Sequence, residues 1–299
     1  MRDTMNRMLT TLILILVGAG AAWASQPVNE TMPVKPGSEI SVENLAGSLT
    51  FGGWDSAMLE VTGTLGDGVK ELDIDVDEDG EIYIEVEFDE DFHGKQTQST
   101  DLTIRLPSGS PLSVETVSAS ISVSGMIGGL DIESVSGAIQ VNGAPASLDI
   151  ENVSGSIDVE TAPNGSDVES VSGRIEIGSV MGDIDAENVS GNIVINGGIL
   201  GDTSMETVSG NITCRAVPGP TGDVDMETMS GTITLLVDSE APASYDLTTF
   251  SGSITNEIGP APTRTSKYTP GQELSFNTGP GGPSISIDNF SGAIKLLTR

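Results

Sequence analysis

The chain has 299 residues, with 12 Lys and Arg against 44 Asp and Glu, a net charge of −32, and 37 glycines against 4% aromatic residues. A surface this acidic repels nucleic acid and anionic lipid and points to cations, basic partners or simple solubility. The expected partner is an unknown surface ligand, a polysaccharide or a basic protein. The only cysteine, Cys214, excludes a disulfide framework, and so much glycine with so few aromatics fits stacked repeats better than a single compact core.

Arg2 and Arg7 precede a mostly apolar run over 8–22, and Ala22-Trp23-Ala24 places small residues where a signal peptidase reads. Residues 1–24 are therefore expected to be a cleaved signal peptide, and the protein to be exported to the periplasm, the cell surface or the medium. The apolar run is shorter than the ~20 residues that span a bilayer, and no later run replaces it, so no membrane span is expected after cleavage. Without residues 1–24 the chain keeps 10 basic side chains against 43 acidic ones. Residues 25–37 read as a leader.

Over 38–112 the sequence reads as a first rung carrying an excursion. Ile40 to Leu49 alternates as a strand. In ELDIDVDEDGEIYIEVEF, residues 71–88, alternation on both sides of Asp79-Gly80 predicts a hairpin with Val76 opposite Ile82, Ile74 opposite Ile84 and Leu72 opposite Val86. Gly80 then takes the left-handed position of the loop Glu78-Asp79-Gly80. The hairpin is expected to cover the exposed edge of the first rung. Its outer face, Asp73, Asp75 and Asp77, is a candidate for divalent cations, with Asp73 facing Glu85 and Asp77 facing Glu81 at a repulsive cost. Asp75, Asp77, Asp79 and Gly80 imitate half of an EF-hand loop, but Val86 stands where the bidentate glutamate belongs.

Residues 113–299 repeat a phrase. Ser118, Ser136, Ser154, Ser172 and Ser190 follow at steps of 18, then Ser209, Ser230 and Ser251 at 19, 21 and 21, with a last copy at Ser291. After each serine comes glycine, then apolar residues two apart, such as Ile139 and Val141 or Ile157 and Val159. Spacing of two means strand, and recurrent glycine excludes a helical repeat. The expectation is an all-β chain, a parallel β-helix or β-solenoid with rungs of 18–21 residues that stack ~4.8 Å apart. Cys214 falls in the valine column and reads as core. The Gly-, Pro- and Thr-rich segment 256–283 reads as an exposed loop before the last rung.

Stacking turns each repeat position into a column. Glu115, Glu133, Glu151, Glu169, Glu187, Glu206 and Glu227 form one, and Asp131, Asp149, Asp167, Asp185 and Asp225 a second, two residues earlier on the same outward face. Carboxylates ~5 Å apart repel by roughly 1 kcal/mol in water. Such a stripe serves as a solubility coat, or it gathers calcium or a basic partner.

The stretch LTIRLPSGSPLSVETVS at 102–118, the chain of Ser-Gly-x-Ile rungs and the closing GGPSISIDNFSGAIKL at 281–296 resemble the bacterial DUF4097 family of putative adhesins. The resemblance covers most of the chain and implies an exported β-solenoid at the cell surface or in the periplasm; it brings no catalytic residues. Neither His93, in a charged loop, nor Arg174, the one basic residue projecting from the regular rungs, sits beside a recognisable nucleophile, so no enzyme activity and no catalytic, cofactor or metal residues are assigned. The expected function is an adhesin-like, monomeric, multivalent binding or spacing surface. The alternatives are a calcium-stabilised structural surface protein, an envelope-stress accessory protein and, more remotely, a polysaccharide-active enzyme.

Overall fold

The computed structural model describes residues 26–66, 68–88, 99–238, 240–266 and 270–299, and among these the regular elements are all β-strands, with no helix. The expected signal peptide and His93 lie outside the described residues. In chain order the first strands are β1 (Gln26–Pro33), β2 (Ile40–Trp54), β3 (Met58–Leu65), β4 (Val69–Val76), β5 (Ile82–Phe88) and β6 (Thr100–Pro107). The repeat then supplies β7 (Leu112–Ser124), β8 (Gly129–Ser136), β9 (Ile139–Asn142), β10 (Ser147–Ser154), β11 (Ile157–Ala162), β12 (Ser166–Ser172) and β13 (Ile175–Ser190). It continues through β14 (Ile193–Ile195), β15 (Gly198–Ser209), β16 (Ile212–Cys214), β17 (Val217–Pro218) and β18 (Asp223–Val237). The last are β19 (Ser244–Asn256), β20 (Thr263–Arg264), β21 (Gln272–Asn277) and β22 (Ser284–Thr298).

Each half of a repeat copy pairs in parallel with the same half of the next. One series runs β7–β8–β10–β12–β13–β15–β18, and the other β7–β9–β11–β13–β14–β16–β18. Because β7 and β13 each belong to both series, the pairings β7–β8–β10–β12–β13–β11–β9 close a ring of seven parallel strands, with the other strands outside it. Register advances by one copy at every pairing, so Ser136 lies between Ser118 and Ser154, and Ser209 between Ser190 and Ser230.

Alternation explains what these strands bury. Ile121, Ile139, Ile157, Ile175, Ile193, Ile212, Ile233 and Ile294 form one inward column, each at most 2% exposed. Cys214 stands in the neighbouring column between Ile195 and Leu235, fully buried as expected. The Ser-Gly corner needs glycine for contact as well as for backbone angle. Gly155 has φ +134, and a Cβ there would lie 1.9 Å from the Gly137 carbonyl oxygen of the copy beside it.

Both ends depart from simple chain order. At the start, β2 pairs with β7 on one side and with β5 and β6 on the other. The edge is closed by antiparallel β4 on β5, β3 on β6 and β1 on β3. The hairpin register is the expected one, including Val76 opposite Ile82 and Asp73 opposite Glu85. The stretch read as a leader therefore carries an edge strand. Val76 is exposed although Ile82 is buried, because β4 has the outer position.

At the other end, β22 lies between β18 and β19, so the copy at Ser291 separates those at Ser230 and Ser251. The segment 256–283 is not simply an exposed loop: β21 pairs antiparallel with β19, buries Leu274 and stacks Phe276 on Tyr245 with ring centres 4.9 Å apart. Antiparallel strands thus finish both ends of the parallel stack, with β1, β4 and β20 as outermost strands.

Candidate functional site

In the phrase Glu133-Ser134-Val135-Ser136-Gly137, strand alternation sends Glu133 and Val135 outward and Ser134 inward. Register copies the pattern along the stack and makes two walls with a floor between them. The acidic wall runs Glu85, Glu43, Glu115, Glu133, Glu151, Glu169, Glu187, Glu206, Glu227 and Asp288. It contains every glutamate expected from the repeat and extends the column at both ends.

The apolar wall is Leu45, Val117, Val135, Val153, Val171, Val189, Val208 and Met229. Each valine is 47–52% exposed. Beyond Met229 the same repeat position holds Phe290 and Phe250, exposed and stacked at 4.9 Å. A continuous line of half-exposed apolar side chains has no role in the core.

The floor residues are buried and tie adjacent copies together. Thr116 Oγ1 donates to Ser134 Oγ at 3.0 Å, Asn152 Nδ2 to the Gly137 carbonyl at 3.2 Å, and Asn188 Nδ2 to the Gly173 carbonyl at 2.8 Å. These bonds tie the floor of one copy to the floor or the Ser-Gly corner of the copy beside it. The open groove has a volume of about 720 Å3 and runs from Glu85 to Met229.

Charge accumulates on the acidic wall. Partial burial, reinforced by the neighbouring carboxylates, raises the pKa of Glu133, Glu169 and Glu187 above the usual glutamate value. Glu43 shifts upward for the same two reasons, with Glu115 and Glu85 as its neighbours. The aspartate column is also in register over Asp131, Asp149, Asp167 and Asp185, then meets Ser204 before resuming at Asp225. Burial, then nearby carboxylates, raises Asp131, Asp167 and Asp288. The ion pairs among the described residues, Lys70 with Glu71 and Glu87, Arg105 with Glu60 and Arg174 with Glu176, leave this wall unneutralised.

The other candidates sit apart from the groove. Asp77 Oδ1 accepts from the backbone N–H groups of Asp79, Gly80 and Glu81 at 2.8–2.9 Å, so this carboxylate closes the hairpin turn. Asp75 Oδ1 accepts from the Val76 N–H. Among the described residues no group of three or more His, Cys, Asp or Glu side chains is drawn together as a metal ion requires; the carboxylates form lines. Arg174 forms an exposed ion pair with Glu176 at 2.6 Å. Burial pushes the Cys214 thiol up to about 11.

No family model matches the chain, and no curated protein matches it. Among solved structures it is similar to a protein from Bacteroides fragilis described as a putative adhesin, with 13% identity over 93% of this chain and 100% of that one, at a TM-score of 0.42. A putative cell adhesion protein from Clostridium sporogenes is 11% identical over 92% of this chain and 100% of that one, at 0.24. A putative adhesin from Parabacteroides distasonis is 12% identical over 91% and 98%, at 0.34. Among the described residues no helix is long and apolar enough to cross a membrane.

Proposed function

We propose that the chain is an exported, non-enzymatic β-solenoid of adhesin type, and that its groove is a multivalent binding surface at the bacterial envelope. The observation that carries this reading is the joint register of the two walls: one carboxylate and one exposed apolar side chain recur at each level from Leu45 to Met229. Identical weak sites on a rigid frame convert small individual affinities into avidity. Fixed strands set the spacing before the ligand arrives, so little ordering cost opposes binding.

The test uses the full chain held on a surface by a terminal tag and probed with poly-lysine-coated beads over a range of salt. Binding should be saturable and fall steeply as salt rises. Combined Glu133→Gln, Glu151→Gln, Glu169→Gln and Glu187→Gln should abolish it, whereas Glu30→Gln, Asp55→Asn, Glu78→Gln and Glu240→Gln, equal in charge but off the wall, should leave most of it. Equal loss in both variants reduces the carboxylates to a general solubility coat and overturns the reading.

A further inference from the structure

The groove joins features that restrict what can lie along it. One wall offers only carboxylate acceptors, and the other only hydrocarbon. The floor backbone is committed to the strand ladders, and the floor side chains turn inward into the stack, so neither adds a donor to the groove. A ligand that follows this groove is therefore cationic, rich in hydrogen-bond donors, poor in acceptors, and apolar between its charges. A peptide strand fits badly, because its carbonyl groups would be desolvated without donors.

The spacing narrows the class. Carboxylates recur with the strand separation, ~4.8 Å. An extended peptide returns a side chain to one face every ~6.7 Å, and a helix completes a turn every ~5.4 Å. In a linear chain with three carbons between nitrogens, four single bonds of ~1.5 Å at ~111° project to ~5 Å. We propose that the groove binds linear polyamines lengthwise, with ammonium groups along the glutamate wall, methylene spacers against the valine wall, and three-carbon spacers matching one level of the stack. This deepens the binding-surface reading above and depends on it.

The experiment is calorimetric titration of the full chain with a tetramine containing three trimethylene spacers, and with hexaamminecobalt(III), a compact trication without methylenes. In Val153→Ser/Val171→Ser, two changes at exposed positions, tetramine affinity should fall about tenfold, while that of the cobalt complex should stay within about twofold. Glu151→Gln/Glu169→Gln should weaken both. If the valine changes alter neither cation, the wall is only a charge surface and the proposal is overturned. Poly-lysine binding through the glutamates without tetramine binding overturns the polyamine assignment and leaves the binding-surface reading in place. Binding of neither probe overturns both.

Discussion

Replacing Gly155 with alanine tests the contact that sets the distance between copies. The new Cβ would lie 1.9 Å from the Gly137 carbonyl oxygen and 2.7 Å from its carbon, on a backbone with φ +134. An L-residue held at such an angle costs ~1–3 kcal/mol. Backbone atoms cannot rotate away, so moving two copies apart adds another ~1–3 kcal/mol. Gly165 supplies the control: its φ is +73, but an added Cβ meets nothing within 4 Å. Strain there amounts to ~1–2 kcal/mol and is partly offset by the lower entropy of the unfolded chain. Urea unfolding followed by circular dichroism should therefore place Gly155→Ala well below Gly165→Ala, with Gly173→Ala resembling the former because its Cβ would meet the Gly155 oxygen at 1.9 Å. Equal midpoints for Gly155→Ala and Gly165→Ala would falsify the close-packed corner.

Three further outcomes are expected. Glu43, Glu133, Glu169, Glu187, Asp131, Asp167 and Asp288 have folded pKa values raised from 4.5 or 3.8, so they retain protons in the folded state that the unfolded chain has released. Their contribution to stability is complete below those ordinary values and is lost as pH rises through the folded ones. Glu71, held low by exposed Lys70, acts in the opposite sense and weakly. Scanning calorimetry at low salt should thus give a higher Tm near about pH 5 than near about pH 8, and a higher Tm at the alkaline value contradicts the assignment. Glu169→Gln removes repulsion with Glu151 and Glu187; at ~5 Å in water this is worth about 0.5–1 kcal/mol of stabilisation, which should disappear in molar salt when followed by thermal unfolding. Cys214 should resist thiol reagents until denaturant is added, and Cys214→Ser should cost about 1–3 kcal/mol in urea titrations by burying a hydroxyl in the apolar column.

The glutamate column was legible because a step of 18 with strand alternation puts Glu133 and its equivalents at the same outward position in every copy. The hairpin register was legible for a similar reason: apolar alternation and Gly80 permit one pairing that keeps Ile74 opposite Ile84. The valine wall follows from the same alternation, since a residue two after an outward glutamate also points outward, yet valine beside an isoleucine-rich core is readily taken for more core. The final order of copies could not be read locally. Insertion of β22 between β18 and β19 is a long-range pairing, and β21 is hidden in a segment whose glycine and proline content suggests loop. Leu274 and Phe276 at a spacing of two were the only local sign of it.

The central claim, that the glutamate and valine walls act as one binding groove, is tested most directly by methyl NMR of the full chain with labelled valines during titration with the trimethylene tetramine. The signals of Val135, Val153, Val171 and Val189 should shift together with one apparent affinity, while the buried Val141, Val159 and Val168 stay in place. Shifts scattered over valines away from the groove, or unmoved wall valines despite measurable binding, would contradict it.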